Sequence, residues 1–327
     1  MRSSDALRDR RRGGGVWTRV VLSAIVPLAI VLALAGCSSA PDAPDYEVAA
    51  KNRATQFSEY GNQHFAAGEY DLALRFFNLS LDENTSVDNL PGIAKSYNSI
   101  ARVYSAAGDL EEARANVQLA MEFSDLADDS EQQMQAYINL GEVEMRDGDA
   151  DAALAALERA QEIVNANEDL ANAILLHNLG TLYARRDQFD RARQYLEDAR
   201  AMNAEAGNWR ELASNHYMLA SIASRQEDYE TARTHAEQAL TFDKKAEYSP
   251  GIAADLQALG RISEHLQADE DAYQYYLRSL RVYLTVNDVS GSVAVLDALE
   301  AVARRTGRPD EADGFAAQRD RIREAVQ

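Results

Sequence analysis

Apolar residues along residues 175–199 recur at the three- and four-residue spacing of an amphipathic helix, with one polar interruption. Leu179 and Leu182 lie on one face of the first stretch, and Leu196 lies on the matching face of the second. The break between the stretches, at Asp187-Gln188, is short and polar. The pattern therefore predicts two helices joined by a tight turn.

The same pair of helices recurs about every 40 residues. A small residue marks the second helix of each copy, at Ala73, Ala113, Ala153, Ala192, Ala232, Ala272 and Ala312. Mostly small residues also occur 12 positions earlier, at Gly61, Ala101, Gly141, Gly180, Ala220, Gly260 and Glu300. A third such column lies seven positions later, at Ser80, Ala120, Ala160, Ala199, Ala239, Ser279 and Arg319. Because small side chains allow helices to cross closely, these columns predict one packing repeated seven times.

Turn residues separate the two helices of each copy. Glycine stands at the predicted bend of four copies, at Gly68, Gly108, Gly148 and Gly307, and Asp187, Glu227 and Gln267 replace it in the others. The seventh copy departs from two of the small columns, at Glu300 and Arg319. Since no further copy follows to pack on it, we expect its second helix to be a cap with a polar outer face.

The segments Ile138-Asn139-Leu140-Gly141 and Asn178-Leu179-Gly180-Thr181-Leu182-Tyr183 resemble the tetratricopeptide repeat. The spacing here exceeds that family's usual period of about 34 residues and matches its variant with longer helices. The resemblance covers residues 48–327 and implies an all-α fold, a right-handed α-solenoid of about seven helical hairpins. It also implies a concave groove, lined by the first helix of each hairpin, in which a protein or peptide partner binds.

The N-terminal 36 residues have the features of a secretion signal. Five arginines between residues 8 and 19 precede a largely apolar run over residues 20–34, which is shorter than the ~20 residues of a spanning helix. The run closes with Leu34-Ala35-Gly36-Cys37, which resembles the lipobox of bacterial lipoproteins. The resemblance implies a signal peptide over residues 1–36 and lipid attachment at Cys37. The alternative is an uncleaved anchor with an incidental cysteine.

Residues 37–47 are polar and predict a tether between the lipid and the repeats. A lipid-anchored chain of this kind is expected in the cell envelope, in the outer membrane and facing the periplasm. Several acyl chains give stable anchoring to a membrane, where a single chain is marginal.

Charge narrows the classes of partner. The formal net charge is −20, from 33 Lys and Arg against 53 Asp and Glu. Six of the arginines lie in the predicted signal, so the remainder of the chain is more acidic still. This balance opposes binding to nucleic acid through the general surface. With Cys37 as the single cysteine, neither an intrachain disulfide nor a cysteine-rich metal site can form.

The residues with catalytic potential are scattered through the copies. The five histidines are scattered along the repeats without a paired ligand spacing on one helix, and neither a Gly-x-Ser-x-Gly elbow nor a phosphate-binding loop occurs among the repeats. Neighbouring acidic residues such as Glu111-Glu112 point to different faces of a helix. The sequence therefore predicts a protein without enzymatic activity, cofactor or metal.

One column runs against the charge of the chain. Five positions after the first small column lie Ala66, Ala106, Arg146, Arg185, Arg225, His265 and Arg305. Further candidates for the groove are Arg102, Arg261, Asn139 and Asn178, since asparagine on the first helices resembles the peptide-clamping residue of some repeat grooves. A cation in the last turn of a helix is also favoured by the helix dipole, by ~0.3–1 kcal/mol, without any ligand. A binding stripe and helix stabilisation therefore both remain open.

Two functions fit these features. The first is a non-enzymatic, lipid-anchored scaffold that binds an extended or acidic protein segment and assembles or localises an envelope complex. The second is an accessory subunit of a solute transporter, which binds a periplasmic receptor or ligand. An enzyme would require a cluster of catalytic residues that the sequence does not offer.

Overall fold

A computed structural model describes residues 45–326, and the regular structure in this range is helical. Fourteen α-helices follow one another there as seven hairpins, which confirms the predicted all-α fold of repeated helix pairs. The helices are α1 Asp45–Ala66, α2 Tyr70–Ser86, α3 Leu90–Ala107, α4 Leu110–Ala127, α5 Ser130–Asp147, α6 Ala150–Ala166, α7 Ala173–Arg185, α8 Phe189–Ala206, α9 Trp209–Arg225, α10 Tyr229–Lys245, α11 Ser249–His265, α12 Asp269–Thr285, α13 Val289–Arg305 and α14 Pro309–Val326.

The predicted signal peptide of residues 1–36 and the lipid-attachment residue Cys37 lie outside the described residues. Helix α1 begins at Asp45 and so includes the last three residues of the predicted tether, residues 37–47, whose other residues lie outside the described part of the chain. Acidic Asp45 and Glu47 in the first turn favour this start through the helix dipole. Among residues 45–326, none of the helices combines the length and apolar character needed to cross a membrane.

The chain divides into two compact units, residues 1–50 and 51–327. Of the first unit, the structure describes residues 45–50, which belong to α1. In the second, each helix from α2 onwards packs against the next one in sequence, and the first helices of successive hairpins also touch from α3 to α11. Buried apolar clusters lie between these helices, one of them around Leu157, Leu179 and Leu196. This part of the chain is therefore a solenoid with a core that continues from hairpin to hairpin.

The bends within the hairpins lie where the sequence predicts them. All seven bend residues have positive φ, from +59° at Gln267 to +93° at Gly108. Most of the turns between hairpins also contain a left-handed residue, for example Gly207 with φ +72° and Glu247 with φ +54°. The connection between α6 and α7 differs, since it contains the 3-10 helix Glu168–Leu170.

In five of the seven hairpins, the small residue of the first helix matches the size of a residue on the second helix. A Cβ atom on Gly260 would lie 2.5 Å from the ring of Tyr276, and the same relation holds for Gly61–Phe77, Gly141–Leu157 and Gly180–Leu196. Where the small residue is Ala101, the residue at the matching position is the smaller Val117, in the same buried cluster. The volumes of the two positions therefore compensate, as close packing requires.

The last hairpin replaces small residues by an ion pair. Nη1 of Arg319 lies 2.7 Å from Oε2 of Glu300 and 2.7 Å from Oδ1 of Asp297. Ala312 in the remaining small column is fully buried, whereas Phe315 is half-buried. Glu300 and Arg319, which replace small residues of the columns, thus join α13 to α14 across the hairpin.

Candidate partner-binding surface

Cavities of about 170 to 310 Å³ lie along the first helices of the hairpins. Asn62 and Lys95 line two of them at the N-terminal end of the row. Ser214 and Tyr217 connect three others that lie between α5 and α11. We call the surface lined by these cavities the first-helix groove. It corresponds to the side of the array on which the sequence predicts partner binding.

Two arginines of the predicted basic column reach back to the preceding hairpin. Arg185 donates from Nη1 to the carbonyl oxygen of Met145 at 3.3 Å, and Arg225 donates to that of Ala184 at 2.5 Å. Carbonyl groups in the last turn of a helix have no partner within the helix. These arginines therefore add a donor to the C-terminal turn of the first helix one hairpin earlier.

The remaining members of the column differ from one another. Arg305 donates from Nε to Oδ1 of Asp269 at 2.9 Å, and this hydrogen bond raises the pKa of the guanidinium. His265 stacks on Tyr229 with ring centroids 4.5 Å apart. Arg146 is exposed and forms neither a hydrogen bond nor an ion pair with the described residues. Arg146 is thus an arginine of the column whose guanidinium is free to contact a partner.

One cavity brings three of the predicted residues together. Arg225, Arg261 and His265 line a space of about 250 Å³ between α9 and α11, with Tyr217 at its edge. Arg225 also forms an ion pair with Asp187 and lies over the ring of Phe189. This end of the first-helix groove is therefore locally basic in an acidic chain.

Arg102 lies in a second cavity, of about 190 Å³, near the N-terminal end of the array. Its Nη2 donates to Oδ1 of Asn62 at 2.6 Å, and its guanidinium carbon lies 4.6 Å from the ring centroid of Phe65. Burial lowers the pKa of Arg102, and the charge of Glu142 partly offsets this effect. Arg102 thus joins α3 to α1.

The two asparagines are occupied between helices. Asn139 donates from Nδ2 to the carbonyl oxygen and to Oδ1 of Asn98, both at 3.1 Å. Asn178 donates from Nδ2 to Oε1 of Glu142 at 3.0 Å. Both residues line the groove, but their amide hydrogens join adjacent first helices.

Sequence reasoning missed a polar cluster where α8 meets α9, which we call the neutral junction. It consists of Asn203, Asn208, Asn215 and His177. Asn208 donates to Oδ1 of Asn203 at 3.3 Å, and Asn203 donates to Oδ1 of Asn215 at 2.9 Å. Nδ2 of Asn215 in turn lies 2.9 Å from Nδ1 of His177. Burial lowers the pKa of His177 to about 4, so the imidazole is neutral and accepts this hydrogen bond.

One repeat further on, where α10 meets α11, the equivalent residues form what we call the acidic junction. Asp243, Tyr248, Asp255 and Tyr217 each follow their counterpart by 40 residues. Asp243 is 5% exposed and Asp255 is 1% exposed. Among the described residues, no N–H or hydroxyl group donates to the buried atoms Oδ1 of Asp243 and Oδ2 of Asp255. All four residues line a cavity of about 310 Å³.

The two carboxyl groups of the acidic junction favour the protonated form. Burial raises the pKa of Asp243 to about 6, although the hydrogen bond with Asp255 and the charge of Arg210 act in the opposite direction. Burial, the charge of Asp243 and their mutual hydrogen bond raise the pKa of Asp255 to about 8. Near neutral pH the pair therefore holds about one proton.

A glycine gives the acidic junction its shape. A Cβ atom on Gly251 would lie 1.8 Å from Oδ2 of Asp243, so the carboxyl group rests directly on the backbone of α11. At Gly92 the equivalent atom would lie 2.2 Å from Oδ1 of Asn84. The sequence signal for this site is thus the Pro-Gly-Ile-Ala segment that begins at Pro91 and again at Pro250, together with an acidic residue at the column position that holds Asn84 and Asn203 in two other copies.

These features define a class of protein: an all-helical repeat protein with cavities along its first helices. Family models described as tetratricopeptide repeat match residues 52–125, 132–205 and 213–245, together more than half of the chain. The chain belongs to the tetratricopeptide repeat family.

Solved structures of low sequence identity share the fold. The apo form of RapI is similar with a TM-score of 0.66 at 15% identity, over 82% of this chain and 76% of RapI. The apo form of the quorum sensor NprR from B. thuringiensis has a TM-score of 0.67 at 14% identity, over 85% of this chain and 77% of NprR. Pseudomonas aeruginosa pilF has a TM-score of 0.53 at 16% identity, over 70% of this chain and 91% of that protein. A comparison with curated proteins gives no match.

Proposed function

We propose that this protein is a non-enzymatic, lipid-anchored scaffold of the cell envelope, which binds a segment of a partner protein in the first-helix groove and so assembles or localises an envelope complex. The observation that carries the proposal is the row of cavities on the first helices. They provide polar and aromatic side chains on a surface long enough for an extended peptide.

The fold of similar proteins supports a peptide as the occupant. One of the similar structures is NprR in complex with its cognate peptide NprX, and another is a Rap protein complexed with Competence and Sporulation Factor. The lipid anchor is supported by the sequence Leu34-Ala35-Gly36-Cys37 after a basic and apolar segment. Outer-membrane attachment facing the periplasm is part of the same proposal.

Crosslinking in intact cells tests the groove. A photoreactive amino acid at Ser221, which lines the basic cavity, should capture a partner, whereas the same probe at exposed Arg75 on α2 should not. Arg146→Glu should weaken this capture several-fold through its charge, and Arg75→Glu is the matched control. Equal capture from both positions, or equal effects of both charge reversals, would exclude the groove. Capture of a transporter's solute receptor would favour the accessory-subunit alternative.

Fractionation tests the anchor. Cys37→Ser removes the thiol to which the lipid would be attached, so the protein should leave the membrane fraction and appear in the soluble fraction. Labelling with a radioactive or clickable fatty acid should be lost in the same variant. A Cys37→Ser protein that still sediments with membranes would contradict the lipoprotein proposal.

A further inference from the structure

Two arginines occupy the same position of a first helix, directly after its small residue: Arg102 in α3 and Arg261 in α11. Arg102 donates to Asn62, which lies at this position of the preceding hairpin, 40 residues earlier. The residue 40 positions before Arg261 is Ser221, whose side chain is shorter. Arg261 is exposed, and its guanidinium forms neither a hydrogen bond nor an ion pair with the described residues. The fold therefore gives a partner to one arginine of this column and leaves the other one free.

We propose that Arg261 binds a carboxylate side chain, aspartate or glutamate, of the protein segment bound in the first-helix groove. The inference rests on the proposed function and names the chemistry of one position in the partner. The carboxylate accepts two parallel hydrogen bonds from the guanidinium, which is the geometry that arginine and carboxylate groups favour.

The cavity beside Arg261 fits such a side chain. Its volume is about 250 Å³, below the range of about 300–1,000 Å³ for pockets that hold a drug-sized ligand. Ala258 and Ile262 line it next to the arginine, so the methylene groups of the acid would contact apolar surface. Ser221 and Ser224 add hydroxyl groups, which can donate to the carboxylate. The cavity thus offers apolar contacts and hydrogen-bond donors to one acidic side chain.

The acidic residues near this cavity are engaged by other arginines. Asp187 pairs with Arg225, and Oε1 of Glu264 lies 3.6 Å from Nη2 of Arg305. The charge of Arg261 is therefore not neutralised by a direct ion pair, and Arg225 adds a second guanidinium to the cavity. Because the formal net charge of −20 repels an acidic segment elsewhere, this local excess of positive charge determines where a carboxylate is held.

The test uses the purified full chain and a defined probe, the peptide acetyl-Ala-Glu-Ala-amide, titrated by calorimetry at pH 7 and low ionic strength. Arg261→Gln should weaken binding about tenfold, which corresponds to about 1.4 kcal/mol. The peptide with glutamine in place of glutamate is neutral and nearly the same shape, and it should bind the unaltered protein equally weakly. Since Arg261 forms neither a hydrogen bond nor an ion pair with the described residues, we expect the variant to fold.

A second variant keeps every charge. Ser221→Asn places beside Arg261 the same amide that Asn62 presents to Arg102, so the guanidinium gains a partner within the chain. Binding of the glutamate peptide should then weaken several-fold, because the peptide must displace this partner.

The matched control removes an exposed arginine from the same hairpin. Arg281 lies on α12, the second helix of the hairpin, and does not line the groove cavities. Arg281→Gln changes the net charge as much as Arg261→Gln does and should leave binding of the glutamate peptide unchanged.

Four results would overturn the subsite. They are equal binding of the glutamate and glutamine peptides, equal loss in Arg261→Gln and Arg281→Gln, binding of inorganic phosphate without binding of the glutamate peptide, and tighter binding of a glutamine peptide that has a free C-terminal carboxylate.

Crosslinking in cells from Ser214, which lines two other cavities of the groove, separates this failure from that of the proposed function. If Arg261→Gln still captures the partner as well as the unaltered protein does, the subsite is wrong and the scaffold function stands. If the glutamate peptide binds but no partner is captured, the subsite stands without the scaffold function.

Discussion

The neutral and acidic junctions occupy the same place in consecutive hairpins, one repeat apart. At the neutral junction, Asn203, Asn208, Asn215 and His177 form a chain of hydrogen bonds that satisfies the buried amides. At the acidic junction, the same backbone arrangement holds two carboxyl groups, which hydrogen-bond each other beside a cavity. The fold therefore tolerates either set of side chains, and the acidic set costs stability when its carboxyl groups ionise, because burial disfavours the charged form.

The two junctions also respond to pH in opposite directions. The carboxyl groups of the acidic junction keep their protons in the folded protein at pH values where the unfolded chain has lost them. His177 remains neutral in the folded protein at pH values where the unfolded chain is protonated. Stability thus falls with rising pH at one junction and with falling pH at the other.

The largest effect is expected from replacing both acids. The folded-state pKa values, about 6 for Asp243 and about 8 for Asp255, lie above the unfolded value of about 3.9. Their contribution to stability is therefore greatest at low pH and is lost as pH rises through 6 and 8. Asp243→Asn with Asp255→Asn should raise the free energy of unfolding at pH 8 by about 3 kcal/mol and change it little at pH 4. Urea unfolding at both pH values measures this, and equal effects would contradict it.

Alanine at one column position should act with opposite sign at the two junctions. Asn215→Ala leaves the amide of Asn203 and the ring of His177 without partners and should lower the free energy of unfolding by about 2 kcal/mol. Asp255→Ala removes a buried acid and should raise the free energy of unfolding at pH 8. Thermal unfolding of both variants at pH 8 tests the comparison. A loss of stability in both variants would contradict the claim that the buried acid at position 255 costs stability.

Acid sensitivity should decrease when the histidine of the neutral junction is replaced. The folded-state pKa of His177, about 4, lies below the unfolded value of about 6.5, so its contribution to stability is lost as pH falls through this window. His177→Gln can keep the hydrogen bond to Asn215, and it should reduce the loss of stability between pH 7 and 4.5 by about 1.5 kcal/mol. Burial also lowers the pKa values of His216 and His235, so part of the loss should remain. An unchanged slope would show that His177 does not titrate as described.

The smallest effect is expected from the turn residue within each junction. Gly207 at the neutral junction and Glu247 at the acidic junction both have positive φ, which a residue other than glycine adopts at a cost of about 1–2 kcal/mol. Glu247→Gly should therefore raise the free energy of unfolding by about 0.7 kcal/mol, once the added entropy of the unfolded chain is subtracted, and with it the melting temperature. Gly207→Ala should lower it by a similar amount. Calorimetric melting temperatures of both variants test whether the two turns differ only in the cost of their positive φ.

Much of the fold follows from the sequence because the columns of small residues repeat so regularly. The one spacing of 39 residues, between Ala153 and Ala192, spans the 3-10 helix Glu168–Leu170, so even the irregular connection has a sequence signal. Seven of the twelve positive-φ residues in the described part of the chain lie where glycine or its replacements predict a bend within a hairpin. These features can be predicted from the periodicity of the sequence, since each depends on neighbours within one repeat.

The candidate site was less predictable, because its residues meet across repeats. The column position of Arg185 gave no indication that its guanidinium reaches the carbonyl of Met145, 40 residues earlier. Asp243 and Asp255 resemble solvated acids in an acidic sequence, and their burial is seen only in the structure. Long polar side chains can extend in several directions from the same backbone position, so their partners become clear only in the folded structure.

The compensating pairs within the hairpins restrict how such an array can evolve. Because Gly260 is matched to Tyr276 and Ala101 to Val117, a recombination that joined the first helix of one hairpin to the second helix of another would bring a methyl group against an aromatic ring. Whole hairpins can be duplicated without this conflict. Crossovers that lengthen or shorten the array should therefore survive when they fall in the turns between hairpins and be lost when they fall in the bends within them.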